Sequence, residues 1–188
     1  MGELRVISGV WRGRWIKSGR EKPNGALRPT SDRVRTSLFD RLTPDLPGSR
    51  VLDLFAGTGA LGIEALSRGA AQATFVEQSP GIVRLLEKNL AGLEAAGALV
   101  RCDEALHALR SFARTGTSFD LILADPPYAS GLASRVILAL DQERLLGAGG
   151  LLVVEHDRRE ELPAPREALV LQDERRYGDT VLTFFRGN

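Results

Sequence analysis

Between residues 50 and 155, short apolar runs alternate with segments of helical spacing, and this alternation limits what the chain can fold into. Such runs are typical of strands buried on both faces of a parallel sheet, joined by crossover helices. Two later runs flank a polar segment, residues 173–179, and predict an antiparallel hairpin at the end of the sheet. We therefore predict an α/β fold with a seven-stranded, mostly parallel sheet. The predicted strands are residues 50–55, 73–77, 98–102, 119–124, 150–155, 168–171 and 181–185, and the predicted helices are residues 61–68, 81–96, 104–115 and 132–145.

The first 48 residues have a different pattern, and we predict a boundary between residues 1–48 and residues 49–188. Residues 4–7 and 14–17 predict a small hairpin, and Thr30 or Ser31 can cap a helix that runs to about Leu42. The formal net charge of the whole chain is only +1. Residues 1–50 nevertheless hold 11 Lys+Arg and 5 Asp+Glu, whereas residues 51–188 hold 14 and 19. The first part is therefore suited to a polyanionic partner.

Composition excludes several classes of protein. No run of about 18 apolar residues occurs, and the first residues lack the order of a secretory signal, so we expect a cytoplasmic protein without a membrane span. Cys102 is the only cysteine, and the two histidines stand far apart in the sequence. We therefore expect no internal disulfide and no metal site. We also expect a monomer.

A glycine turn follows the first predicted strand of the sheet. Gly57-x-Gly59-x-x-Gly62 stands between a strand and a helix, as in dinucleotide-binding proteins, and Glu77 follows 18 residues after Gly59. A carboxylate there can accept the hydroxyls of a ribose. Asp53 near the strand end would repel a pyrophosphate but favour the cationic donor S-adenosylmethionine. Two plainer alternatives are that Asp53 only caps the turn and that Glu77 is a solvated acid.

Two more strand ends carry polar groups. Asp103 follows the third strand, where its carboxylate can accept an adenine amino group, cap the next helix, or do both. Asp125-Pro126-Pro127-Tyr128 follows the fourth strand. Two prolines give a rigid loop with two carbonyls that have no adjacent N–H to compete for them. Asp125 and the Pro126 carbonyl could therefore hold one exocyclic amino group while Tyr128 stacks on the base. The alternative is an ordinary turn from strand to loop.

With these motifs the chain resembles the class I, Rossmann-like S-adenosylmethionine-dependent amino-methyltransferases of the (Asp/Asn)-Pro-Pro-(Tyr/Phe) group. More narrowly, it resembles the bacterial 16S ribosomal RNA guanine-N2 methyltransferase family. The stretches that carry the narrower resemblance are residues 9–14, 28–30, 32–35, 38–39, 53–70, 125–128 and 177–179.

The resemblance implies methyl transfer from S-adenosylmethionine to guanine N2, of the guanine-966 type, in 16S ribosomal RNA or a partly assembled small subunit. It implies catalysis at Asp125, Pro126, Pro127 and Tyr128. The donor-binding residues that it implies are Asp53, Phe55, Gly57, Gly59, Glu77, Gln78, Asp103, Glu104 and Ala105.

Cations and aromatic rings in the N-terminal part are typical of RNA recognition, because cations bind phosphates and flat rings stack on unpaired bases. The plainer interpretation is that the tryptophans pack on the core and the arginines are solvated. The predicted RNA-binding residues are Trp11, Arg12, Arg14, Lys17, Arg28, Thr30, Arg33 and Arg35.

Three other functions stay open from the residues alone. An adenine-N6 methyltransferase acting on DNA or RNA could use the same Asp-Pro-Pro-Tyr motif. An RNA-binding assembly factor could retain a vestigial donor site. A nicotinamide oxidoreductase is least favoured, because no Tyr-x-x-x-Lys pair accompanies the glycine turn.

Overall fold

A computed structural model describes residues 2–18, 32–128, 130–165 and 167–188. Its core is a seven-stranded sheet, and a separate two-stranded sheet lies near the N-terminus. The strands are β1 (Glu3–Arg5), β2 (Trp15–Lys17), β3 (Arg50–Asp53), β4 (Gln72–Glu77), β5 (Ala98–Cys102), β6 (Phe119–Ala124), β7 (Leu146–Asp157), β8 (Leu169–Tyr177) and β9 (Thr180–Gly187). The helices are α1 (Asp32–Leu42), α2 (Ala60–Ser67), α3 (Pro80–Gly92), α4 (Ala105–Arg114) and α5 (Leu132–Glu143), and a 3-10 turn spans Thr43–Asp45.

The large sheet has the strand order β5-β4-β3-β6-β7-β9-β8. Its first five strands are parallel, and β9 runs antiparallel between β7 and β8. The chain proceeds outward from β3 to β5 and then crosses back to β6, so the strand order reverses between β3 and β6. In open parallel sheets a ligand crevice forms outside the carboxyl ends of the strands at this point of reversal.

Neighbouring residues in each central strand face opposite sides of the sheet, and each side has its own core. Val51, Leu121 and Leu151 pack with α1, α2 and α3, whereas Leu52, Ile122 and Leu152 pack with α4 and α5. This arrangement explains the continuous apolar runs, since a strand that is covered on both faces has no polar side.

The N-terminal hairpin is docked on the helices of the first side. Val6 of the hairpin and Ile16 of β2 belong to the same buried cluster as α1 and α2. Buried Glu64 on α2 accepts hydrogen bonds from the backbone N–H groups of Ile7 (2.8 Å) and Ser8 (3.0 Å). The hairpin thus shares the core of the sheet.

The C-terminal hairpin is longer than the sequence suggests. Residues 173–177 were predicted as turn but continue β8, and only Gly178 and Asp179 form the turn. This stretch is polar because β8 is the edge strand, where exposed charged side chains prevent pairing with other chains. Within the described ranges no helix combines the length and apolar character needed to cross a bilayer.

Candidate active site at the carboxyl edge of the sheet

Four neighbouring strands each bring one acid to the same edge of the sheet. Asp53 ends β3, Glu77 ends β4, Asp103 follows β5, and Asp125 follows β6. Asp53 pairs with Phe75 on one side and with Leu123 on the other, so Glu77 and Asp125 each lie two residues beyond a partner of Asp53. With strands about 4.8 Å apart and about 3.3 Å per residue, Asp125 Cα lies roughly 8 Å from Asp53 Cα. The structure therefore brings the predicted donor and catalytic residues together.

The glycine turn has the conformation that its motif predicts. Gly57 has φ +52° and Gly59 has φ +94°, values that residues with a side chain seldom adopt. A Cβ at Gly59 would lie 2.5 Å from Leu86, whereas a Cβ at Gly57 would have no atom within 4 Å. Gly59 therefore allows close packing, and Gly57 faces open space that a ligand can enter.

Asp53 lies beneath this turn. Its side chain is 1% exposed, and it accepts a hydrogen bond from Gly62 N–H in the first turn of α2 (2.8 Å). Burial raises the pKa of Asp53 to about 7, although the Gly62 hydrogen bond opposes that rise; the charge of Glu77 adds to it. In this geometry Asp53 holds the turn against α2, which agrees with the plainer alternative that Asp53 caps the glycine turn. Its carboxyl group titrates near neutral pH.

Glu77 holds the turn from its other side. It accepts hydrogen bonds from Gly57 N–H (3.1 Å) and Ser79 N–H (2.8 Å). A carboxylate oxygen has two acceptor sites, so each oxygen can accept another hydrogen bond, for example from a ribose hydroxyl. Phe55 and Gln78 are two further predicted donor-binding residues. Phe55 is half-buried and Gln78 is exposed.

Asp103 lies at the far side of the same edge. It accepts hydrogen bonds from Arg101 (2.8 Å) and Glu104 N–H (2.8 Å), and lies 2.7 Å from His107 Nδ1. Desolvation favours its neutral form, but the hydrogen bonds from His107 and Arg101 outweigh that effect, so the pKa of Asp103 is lowered. The cap of α4 is Glu104, which accepts from His107 N–H, and buried Ala105 begins the helix. The suggestion that Asp103 caps this helix was therefore wrong.

The Asp-Pro-Pro-Tyr loop follows β6 directly. Asp125 is half-buried and Pro126 is buried, and the Pro127 carbonyl accepts a hydrogen bond from the Ser130 hydroxyl. Tyr128 is 40% exposed, yet its hydroxyl is held within the protein.

Two strands fix the Tyr128 hydroxyl. It donates to Glu155 Oε1 on β7 (2.8 Å) and lies 2.9 Å from the hydroxyl of Thr180 on β9. Burial raises the pKa of Tyr128, so the hydroxyl stays protonated and can donate. Neither partner was predicted from the sequence. Glu155 could have been noticed as an acid at the end of an apolar strand, whereas Thr180 gives no signal in the sequence.

The predicted RNA-binding residues differ in how far they are exposed. Arg12, Arg14, Lys17 and Arg33 are exposed, and Trp11 is half-buried against the core. Arg28 and Thr30 lie outside the residues that the structure describes.

Arg35 was predicted to bind RNA, and the structure contradicts that prediction. It is 1% exposed, and its guanidinium donates to the Arg5 carbonyl (2.6 Å) and to Asp32 (2.9 Å). Burial lowers the pKa of Arg35, while the charges of Asp32 and Glu64 oppose that shift. Arg35 therefore joins α1 to β1 inside the protein.

The carboxyl edge of the sheet carries several acidic side chains, which can accept hydrogen bonds or stabilise a positive charge. Glu77 accepts a hydrogen bond from Gly57 N–H, and Asp53 and Asp103 lie at the same edge of the sheet. Across the described ranges, no group of three His, Cys, Asp or Glu side chains has the placement needed for a metal ion.

Comparison with known proteins identifies the family of this chain. The family model described as conserved hypothetical protein 95 matches residues 4–186. Ribosomal RNA small subunit methyltransferase D of Escherichia coli is 41% identical over 162 residues, which cover 86% of this chain and 79% of that protein. The chain belongs to this methyltransferase D family. The family predicted from the sequence motifs is thereby confirmed.

Solved structures confirm the fold class. The structure of the E. coli protein yhhF is 37% identical, has a TM-score of 0.84, and is matched over 100% of this chain and 99% of that one. The 16S ribosomal RNA N2 G1207 methyltransferase RsmC of Thermus thermophilus, solved with AdoMet and guanosine, has a TM-score of 0.74 at 21% identity. That alignment covers 100% of this chain and 50% of RsmC, and it shows a common fold.

Proposed function

We propose that the protein transfers a methyl group from S-adenosylmethionine to the exocyclic N2 of a guanine in 16S ribosomal RNA, of the guanine-966 type. The observation that carries this proposal is the position of the Asp125–Tyr128 loop directly beside the glycine turn, on the neighbouring strands β6 and β3. Relatives named as small-subunit ribosomal RNA methyltransferases support the substrate class. The reaction then belongs in the cytoplasm, with ribosomal RNA as partner.

The donor site is formed by the turn and the acids around it. When bound, S-adenosylmethionine supplies a methyl group on a cationic sulfur. Glu77 has acceptor sites for the ribose hydroxyls, and Asp103 has a carboxylate for the adenine amino group. Asp53 lies under the turn, and because its pKa is about 7, a positive charge above the turn would favour its ionised form and be stabilised by it.

The acceptor site is formed by the loop after β6. Asp125 and the Pro126 carbonyl accept hydrogen bonds from the amino group of the base. An aromatic amine is a poor nucleophile because its lone pair is delocalised into the ring. Two fixed acceptors favour a pyramidal nitrogen whose lone pair points at the methyl group, and alignment of the two reactants lowers the barrier further.

Tyr128 stacks on the flipped guanine. Its ring is partly exposed at the edge, while Glu155 and Thr180 fix the hydroxyl end, so the ring plane is set before the base arrives. A base within folded RNA must leave its stack to reach this pocket, and a preset aromatic face offsets part of that cost.

The exposed cations of the N-terminal hairpin bind the RNA backbone. Arg12, Arg14 and Lys17 are all exposed, and Trp15 is 61% exposed with the Arg5 guanidinium 6.0 Å from its ring centre. This combination suits phosphates and unpaired bases.

The test is a methylation assay with isotope-labelled donor. The full chain is incubated with protein-free 16S ribosomal RNA, partly assembled small subunits or duplex DNA, and the nucleic acid is digested to nucleosides. We expect N2-methylguanosine from the RNA substrates. Asp125→Ala should lower turnover on the order of 100-fold, while S-adenosylhomocysteine binding changes less than about threefold.

Asp120→Ala is the matched control. Asp120 lies on the same strand but at the opposite edge, where it accepts a hydrogen bond from Arg50 N–H (2.7 Å). It should leave turnover near the wild-type value. Turnover by Asp125→Ala close to wild type would refute the mechanism, N6-methyladenosine as the product would refute the base, and donor binding without any transfer would favour an assembly factor.

A further inference from the structure

Asn89 is a polar residue on the apolar side of α3. It is 7% exposed and lies between Leu86 and Leu90, both of which belong to the core. A buried amide costs free energy unless its hydrogen-bonding groups are satisfied, so the partners of Asn89 are informative.

The side chain of Asn89 connects two elements that are distant in sequence. Its amide nitrogen donates to the carbonyls of Lys17 (2.9 Å) and Thr58 (2.9 Å). Its amide oxygen accepts from Lys17 N–H (2.9 Å). Lys17 ends β2 of the N-terminal hairpin. Thr58 stands between Gly57 and Gly59, the two left-handed glycines of the glycine turn. One side chain therefore binds the hairpin at two points and the turn at a third.

The bond to Thr58 fixes the central peptide of the turn. Asn89 holds the Thr58 carbonyl, while the next N–H, that of Gly59, donates to the Ala56 carbonyl (2.8 Å). The orientation of this peptide determines how the turn faces a ligand. A shift of β2 at Lys17 would move Asn89 and change that orientation.

We propose that Asn89 is a positioning residue that couples the N-terminal hairpin to the glycine turn. RNA that binds to the hairpin and S-adenosylmethionine that binds at the glycine turn then strengthen each other's binding. This inference rests on the proposed function, because it takes the hairpin as an RNA-binding surface. Coupling of this kind is reciprocal and is commonly about 5- to 100-fold in affinity.

A second set of contacts supplies a matched control. Ser67, at the C-terminal end of α2, also binds the N-terminal segment: its hydroxyl accepts from Trp11 N–H (3.0 Å) and donates to the Ser8 carbonyl (2.6 Å). Neither of these contacts involves the glycine turn. Ser67→Ala therefore weakens the docking of the hairpin without releasing Thr58.

The experiment measures the dissociation constant of S-adenosylhomocysteine by calorimetry, with and without saturating 16S ribosomal RNA. For the wild type and Ser67→Ala we expect RNA to tighten binding at least about fivefold. Asn89→Ala should reduce this factor to less than about twofold. Asn89→Asp keeps the acceptor for Lys17 N–H but loses both donors, so it should give the same result and serves if Asn89→Ala does not fold.

The outcomes separate this inference from the proposed function. Full coupling in a folded Asn89→Asp protein would overturn the inference, as would a wild type that methylates RNA but shows no coupling. If Ser67→Ala also loses the coupling, Asn89 is only one of several contacts that dock the hairpin. That result would overturn the specific role of Asn89. A wild type that transfers no methyl group to RNA would instead refute the proposed function.

Discussion

The buried carboxyl group of Asp53 should make the stability of this protein fall as the pH rises through the weakly acidic range. Burial raises its pKa from 3.8 to about 7, and the hydrogen bond from Gly62 N–H only partly opposes that effect. Between these two values the folded state binds a proton that the unfolded state has already lost. The folded state is therefore favoured at the acidic end of this range, and that advantage disappears as the pH approaches 7.

The size of the effect follows from the two pKa values. A pKa of about 7 in the folded state against 3.8 in the unfolded state corresponds to about 4 kcal/mol in the free energy of unfolding. Roughly 2 to 3 kcal/mol of this change falls between pH 5 and pH 8. The free energy of unfolding typically falls by about 2 kcal/mol per molar urea. The Asp53 contribution should therefore lower the urea midpoint of unfolding by about 1 M between pH 5 and pH 8.

Asp53→Asn isolates this contribution. The asparagine keeps an acceptor for Gly62 N–H and cannot ionise, so any cost of the amide itself is independent of pH. Urea unfolding of both proteins, followed by circular dichroism from pH 5 to pH 8, should show the wild type losing stability relative to the variant.

Asp173→Asn provides a control of opposite sign. The hydrogen bond from Arg175 is the main cause that lowers the pKa of Asp173, and Arg41 adds to it. Arginine does not titrate in this range, so the contribution of Asp173 is fully present above the pKa of an unfolded aspartate and is lost only at lower pH. Its difference from the wild type should therefore be constant from pH 5 to pH 8. If the difference for Asp53→Asn is equally constant, the raised pKa and the burial argument behind it are wrong.

Three other substitutions test particular contacts. Tyr128→Phe keeps the stacking ring but loses the bond to Glu155, so kcat/KM for RNA should fall several-fold, less than for Tyr128→Ala; steady-state kinetics decide this. Gly62→Ala places a Cβ 2.2 Å from the Phe75 ring and should cost about 1–3 kcal/mol in urea unfolding. Arg35→Met should lower the free energy of unfolding by about 1–3 kcal/mol, because the Arg5 carbonyl loses its buried donor. The RNA affinity of the folded variant should stay within about twofold of wild type. A larger loss of affinity would show that Arg35 contacts RNA.

Much of the site could be predicted because parallel strands end at a common edge. Asp53, Glu77, Asp103 and Asp125 each follow an apolar run, and the topology places them together without further information. The glycine turn was equally predictable, because its positive φ angles require glycine locally.

The remainder depends on contacts between segments far apart in the chain. Arg35 has the spacing of a surface residue on an amphipathic helix, but the docking of β1 over α1 covers it. Tyr128 meets Glu155 and Thr180 only because β7 and β9 are neighbours in the sheet.

The sequence by itself determined the strand and helix order, the acids at the carboxyl edge of the sheet and the family, since these follow from local periodicity and short motifs. Only the tertiary structure decided which polar side chains are buried and what they bind. Asn89 shows the reason: its position on an apolar helix face is visible in the sequence, but its partners Lys17 and Thr58 are 72 and 31 residues away. A hydrogen bond over such distances exists only after the hairpin, the turn and the helix have packed together.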